Sequence, residues 1–287
     1  MFKSIDWTGY VFISFFAVPF FVFNILPIFF GTYVSFNEWG IFGDPEWVGL
    51  DNYRKILTDR YAHLAFKNVL FYVVFIVPTV TVLGFIFALF VNQGWPLSSI
   101  SRTIFFSPYA VAASVVGIVW IWILDTQNGL LNNYLELIGI KYIPWITSTD
   151  WVLYGISITS IWWDLGLAFI IFLAGLQDVP KDLIEAAKLD GANRFQRLWN
   201  VIIPVMRPVI SLVLTLQLIS TLRIFSQVYV MTLGGPAGAS SSPIYHIYTT
   251  AVNQQLFGYA SAASIVLFFF ILVLTLIMRF FIKEAAL

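Results

Sequence analysis

Blocks of apolar residues, each long enough to cross a hydrocarbon core as a helix of roughly 20 residues, recur along the chain between short polar stretches. They occupy residues 10–34, 69–91, 103–124, 152–177, 209–231 and 260–282. The pattern predicts an all-α membrane protein of about six transmembrane helices. The first block is too long for a secretory signal, only Lys3 precedes it and no small-residue cleavage site follows, so a retained helix is expected. Pro19, Pro27 and Pro78 fall inside these blocks. Neighbouring helices in a membrane bundle can re-satisfy the backbone groups that proline frees.

Charge decides which way the helices run. With the N-terminus inside, the cytoplasmic connections hold Lys3, Arg102, Lys181, Lys188, Arg194, Arg197, Arg207, Arg279 and Lys283, against Arg54, Lys55, Arg60, Lys67 and Lys141 outside. Lys and Arg concentrate on the cytoplasmic side of membrane proteins, which places both termini there. The two external connections, residues 35–68 and 125–151, are rich in Trp, Tyr, Gly and Asp, which suits short interfacial helices under an aromatic belt. Composition agrees: 60% of residues are apolar, 18% aromatic and 10% charged, against about 45–50% apolar and about 25% charged in soluble domains. Fifteen basic residues balance fifteen acidic ones, so no bulk field draws nucleic acid. The absence of cysteine excludes disulfides, thiol chemistry and thiolate metal sites, and two separated histidines, His63 and His246, leave little for a metal centre.

The most informative polar stretch is residues 178–207, DVPKDLIEAAKLDGANRFQRLWNVIIPVMR. Asp178 as N-cap, Pro180 in the first turn, Asp182 and Glu185 near the positive dipole end and Lys188 at the other end predict a short helix over 180–189. Gly191 supplies a permissive backbone at the break. A second amphipathic helix is expected through Phe195, Leu198 and Trp199, with Arg194 and Arg197 on its wetter side, and Pro204 and Pro208 mark the passage into the next span. Such a helical hairpin on the membrane surface, apolar patch and polar rim together, has the make-up of a docking site.

These residues resemble the EAA motif of ABC-importer permeases, Glu-Ala-Ala, three residues, Gly, nine residues, Ile-x-Leu-Pro. Glu185, Ala186, Ala187, Gly191 and Pro204 match at that spacing, with Val201 for the Ile and Ile203 for the Leu. WVGLDNYRKILTD at 47–59 and TLGGPAGASSSPIYHIYTTAVNQQLFGYASAAS at 232–264 are similar to external segments of the sugar-type members, which include maltose, other oligosaccharide and glycerol-phosphate permeases. The resemblance implies a type I ABC-importer permease fold, divided into a first helix and external loop over 1–64, a permease domain over 65–282 and a cytoplasmic tail over 283–287. It implies a multi-pass protein of the prokaryotic inner membrane that imports a sugar or related polyol. The loop would dock in a groove of the partner ATPase through Glu185, Ala186, Ala187, Asp190, Gly191, Ala192, Phe195, Leu198 and Pro204. Further implied partners are a second, similar permease subunit, in a heterodimer or a homodimer, and an extracytoplasmic solute-binding protein that sets specificity.

The chain has no GxxxxGK[ST] phosphate loop, so energy must come from a partner. The resemblance puts ATP and Mg on the ATPase, makes this chain a transport subunit and not an enzyme, and leaves it without a cofactor of its own. Deep inside the predicted spans, Asp164 and Arg223 are the charged residues, each 13–14 residues from the cytoplasmic end of its helix and so about 20 Å deep at 1.5 Å per residue. An ionisable residue at that depth marks a pathway or gate by default, or the two form a buried ion pair. Trp162 and Trp163 flank Asp164, and Gln217, Ser220, Gln227 and Tyr229 add polar groups along the fifth block, a set that suits a neutral sugar. Arg223 leaves an anionic substrate open. An ion-gradient carrier would show internal repeats and clustered intramembrane acids, and neither is present in the sequence.

Overall fold

The structure, a computed structural model, describes residues 7–92 and 98–284. Lys3 and residues 285–287 of the expected tail lie outside them. In chain order the elements are α1 (Trp7–Phe20), α2 (Leu26–Ser35), β1 (Asn37–Glu38), β2 (Glu46–Trp47), α3 (Asp51–Thr58), α4 (Arg60–Asn92), α5 (Ser98–Ala110) and α6 (Ala113–Ile123). There follow α7 (Leu130–Leu137), α8 (Val152–Gln177), α9 (Lys181–Leu189), α10 (Arg194–Arg197), α11 (Ile203–Leu222), α12 (Ser226–Met231), α13 (Pro243–Tyr248) and α14 (Phe257–Glu284). Among the described residues five stretches are long and apolar enough to cross a membrane: Val11–Ser35, Arg60–Asn92, Val152–Gln177, Arg194–Met231 and Phe257–Phe280.

The third expected span is not one straight helix. Residues Ile100–Ala110 and Ala113–Ile123 meet at 98°, and they make a sixth crossing only when the pair is counted together. Pro108 removes the N–H that would bond Ile104, and the Ser107 hydroxyl donates to the Ile104 carbonyl at 3.1 Å in its place. Such local rescue is what lets proline persist inside membrane helices.

The chain forms two compact units. The first comprises residues 1–59 and 247–268. A π turn at Phe21–Ile25 joins α1 to α2, and β1 pairs antiparallel with β2, Asn37 opposite Trp47. Buried Asn52 donates to the Ser35 carbonyl at 3.0 Å and to the Asn37 carbonyl at 2.9 Å, which ties α3 to the end of α2. The Tyr259 hydroxyl donates to Asp59 at 2.6 Å.

The second unit, residues 60–246 and 269–287, carries the core. There α4 and α8 pack along their length through Ile76, Val80, Ala168, Phe169 and Phe172, all fully buried. Lipid is as apolar as this core, so association rests on close packing and hydrogen bonds more than on removal of surface from water. Gly166 shows how close the packing is: a Cβ there would stand 2.8 Å from the Phe105 carbonyl oxygen of α5. The polar connection between α12 and α13 is held by the same logic. Asn68 donates to the Ser241 carbonyl at 3.0 Å, Tyr72 to the Ser240 carbonyl at 3.1 Å, and Ser242 to the Ile224 carbonyl at 2.6 Å.

Candidate functional site

Two features of the second unit collect the residues singled out by sequence. The first is the 178–207 hairpin. Its opening helix, α9, starts at Lys181 with Pro180 as the residue before it. Asp178 is therefore not the N-cap: it closes α8, its backbone N–H bonding the Ala174 and Gly175 carbonyls at 3.2 Å. Ile184 and Lys188 share one face of α9, while Glu185, Ala186, Leu189 and Asp190 stand exposed and Ala187 is half-buried. Leu189 is 90% exposed. Gly191 sits at φ +79°, a left-handed turn that only glycine takes without strain. Its N–H bonds the Lys188 carbonyl at 3.0 Å and the Ala192 N–H bonds Ala187 at 2.9 Å, so the last carbonyls of α9 are satisfied.

The second arm also differs from the expectation. It is not a separate surface helix, because α10 passes through a π turn at Leu198–Ile202 directly into α11. Pro204 follows the π turn as the second residue of α11, and Pro208 lies further inside it. Asn193 caps α10: its side chain accepts from the Gln196 N–H at 2.9 Å, and the Gln196 side chain accepts from the Asn193 N–H at 2.8 Å. This reciprocal capping box has the sequence signature N-x-x-Q. Phe195, 68% exposed, lies 5.9 Å from the Trp199 ring, which is also exposed. Ala192, Leu198 and Pro204 are half-buried.

The second feature is a cavity of about 420 Å³ between α5, α8, α11 and α12. Asp164 is buried on its wall, 5% exposed, together with Trp163, Gln217, Ser220, Arg223 and Gln227. The Oε1 of Gln217 and the Oγ1 of Thr221 are buried without a hydrogen-bond partner. Arg223 lies within the candidate span Arg194–Met231, but at a break in its helix. It ends α11, its N–H reaching Ile219 and Ser220, and the chain resumes as α12 at Ser226. That break opens a polar patch in an apolar bundle, as broken membrane helices do where they line a cavity. Asp164 and Arg223 share the wall but form no ion pair: among the described residues the ion pairs are Arg54–Asp51 and Lys55–Glu38.

Trp163 fixes the bend between α5 and α6, its indole N–H donating to the Val111 carbonyl at 2.9 Å and its ring 5.1 Å from Tyr109. Two expected members stand elsewhere. Trp162 is partly exposed and packs on Trp120 at 5.8 Å, and Tyr229 stacks on Phe225 at 5.4 Å. Ser160, Tyr109, Thr221 and Ser226 line the cavity without having been singled out, since a hydroxyl in an apolar block gives no sign of which face it takes.

The family model for the binding-protein-dependent transport system inner membrane component matches residues 80–285. The chain belongs to this family. Members are transport components and not enzymes. The chain is 33% identical over 258 residues to the trehalose/maltose transport system permease protein MalF of Thermococcus litoralis, covering 89% of this chain and 87% of that one. It is 31% identical over 255 residues to the multiple sugar-binding transport system permease protein MsmF of Streptococcus mutans, at 87% and 86% coverage. In fold it is similar to a chain of a bacterial alginate ABC transporter solved in complex with an alginate pentasaccharide-bound periplasmic protein. That match has a TM-score of 0.86 at 21% identity and covers 98% of this chain and 96% of the other. The bent third crossing and the hairpin ahead of the fifth are thus features of an inner membrane component of this family.

Proposed function

We propose that this chain lines part of the translocation path of an ATP-driven importer for a sugar or related polyol in the prokaryotic inner membrane. The supporting observation is the cavity, where Gln217 and Thr221 keep unsatisfied buried oxygen atoms beside Asp164. A buried polar atom left without a partner costs about 1–3 kcal/mol, and a turn of the Gln217 side chain toward the cavity it lines would let a hydroxylated solute supply the missing donor. The sugar-named relatives MalF and MsmF point to the same substrate class. The 65–282 region is then the permease domain, with both termini on the cytoplasmic side.

In this reading the 178–207 hairpin rests on a partner ATPase dimer, which holds ATP and Mg, and a second permease subunit completes the path. A solute-binding protein delivers the substrate. Closing of the ATPase moves the docked hairpin, and α8 and α11, which flank it, carry the motion to the cavity. A ligand shifts such an equilibrium only through differential affinity for the two states, and ATP on the partner supplies it. Arg223, exposed on the cavity wall with no acidic partner among the described residues, favours a second reading, a glycerol-phosphate-type anionic substrate. Asp164 on the same wall favours the neutral one.

The test is uptake of radiolabelled sugar by vesicles carrying the whole transporter. Glu185→Lys is expected to lose uptake and to uncouple ATP hydrolysis while the chain still inserts, and Gln217→Leu to reduce uptake with hydrolysis kept. Normal uptake in both variants would sink the proposal. An inverted preference, glycerol phosphate over sugar, that is lost in Arg223→Gln would select the anionic reading.

A further inference from the structure

A second groove, of about 720 Å³, lies where α4 and α8 end against the hairpin. Its chemistry is split. Leu89 from the last turn of α4, Leu176 from the last turn of α8, and Ile184 and Ile202 from the hairpin give it an apolar floor. Lys188, Arg194 and Arg197 come to its wall, and no acidic side chain lines it. Among the described residues no carboxylate stands within ion-pair distance of these three cations. Arg197 uses one guanidinium N–H on the Ala192 carbonyl, at 2.6 Å, and Arg194 is solvent-exposed.

Three uncompensated cations beside an apolar trough, at the level where membrane-spanning helices give way to a polar loop, match an amphiphile with an anionic head. The geometry points to a binding site for one anionic glycerophospholipid, its phosphodiester held by Lys188, Arg194 and Arg197 and its acyl chain laid along Leu89, Leu176 and Ile202. Guanidinium groups bind phosphate oxygens through paired N–H donors, and basic pockets between transmembrane helices take anionic headgroups. A free inorganic phosphate would make no use of the apolar floor. The site lies on the side of α9 that carries Ile184 and Lys188. Glu185 and Leu189 project elsewhere on the helix turn, whereas Phe195 and Leu198 line the groove as well and belong to the set expected to meet the ATPase, so the test below separates the lipid from the protein partner. The inference does not depend on which solute the transporter carries.

The full chain, purified in non-ionic detergent, is titrated with phosphatidylglycerol or phosphatidylcholine, and retained lipid is read by native mass spectrometry. Phosphatidylglycerol is expected to be retained in preference. Arg194→Gln should weaken that preference about fivefold, the effect of roughly 1 kcal/mol per basic residue, and K188Q/R194Q/R197Q should abolish it. Arg194→Lys, which keeps the charge, should retain most of it and shows that the loss is not misfolding. Equal retention of the two lipids overturns the inference, as does an unchanged preference in the triple variant. Release of the lipid by inorganic phosphate at equal charge would identify a free-anion site instead. If the triple variant retains lipid like the wild type but loses co-purifying ATPase, the groove belongs to the protein partner and the lipid assignment falls.

Discussion

In the 178–207 hairpin Glu185, Ala186 and Gly191 of the family signature stand exposed, held by backbone turns and caps, whereas in the cavity Asp164, Gln217 and Gln227 are buried and held by helix packing. The hairpin spends its polar groups on itself: Gly191, Ala192 and Asn193 satisfy the ends of α9 and α10. The cavity leaves polar atoms of Gln217 and Thr221 unsatisfied. On the proposed reading, a surface for a protein partner is finished before the partner arrives. On the same reading, a path for a solute keeps polar groups open for it.

The largest expected effect comes from breaking the turn of the hairpin. Gly191→Pro forces φ to about −65° where the chain needs +79° and removes the N–H bonded to Lys188, a combination worth about 3 kcal/mol or more. Transport should be lost and ATP hydrolysis uncoupled, while thermal unfolding of the detergent-purified chain moves little, because the bundle does not rest on this turn. A large drop in melting temperature would mean that hairpin and bundle are one cooperative structure.

On the cavity side, Gly166→Ala should cost about 1–3 kcal/mol, the usual penalty of overpacking, since the new Cβ meets the Phe105 carbonyl at 2.8 Å and backbone yields poorly. The measurement is melting temperature of the purified chain, with uptake falling in step. Asp164→Asn should act in the opposite sense on stability. It removes a buried ionisable group that has no ion-pair partner among the described residues and keeps its volume, so a gain of about 1 kcal/mol is expected together with reduced uptake. Loss of both stability and uptake would show that the carboxylate is structural.

Sequence exposed these two regions to very different degrees, and the reason is physical. The hairpin is legible because turns and caps demand particular residue types at fixed offsets: a left-handed turn selects Gly191, and Asn193 with Gln196 forms a capping box. Even there the caps were misplaced, Asp178 ending α8 and Pro180 preceding α9, because an Asp beside a Pro suits either role. The six apolar blocks were plain because hydrocarbon thickness sets their length. The 98° bend between α5 and α6 was not, since the groups that stabilise it, Trp163 on the Val111 carbonyl and Tyr109 on the Trp163 ring, lie far apart in sequence. The same holds for Ser160 and Thr221, whose facing is decided by tertiary packing, and for Arg223, whose position at a helix end depends on Ser242 taking the Ile224 carbonyl.

The smallest expected effect is the most discriminating. Asn193→Ala deletes one half of the capping box on α10 and should cost about 1 kcal/mol locally. Because α10 runs through the π turn at Leu198–Ile202 into α11, that loss has two routes. If the hairpin is a local unit, amide exchange at Gln196 and Arg197 rises about fivefold while the amides of α8 and of α11 beyond Pro208 are unchanged, as expected where opening is confined to a few residues. If exchange also rises along α11 to Leu222, the cap is coupled through the continuous helix to the cavity wall at Gln217. The hairpin's self-sufficiency would then be only apparent, and a signal arriving at Asn193 would have a direct structural line to the site that meets the solute.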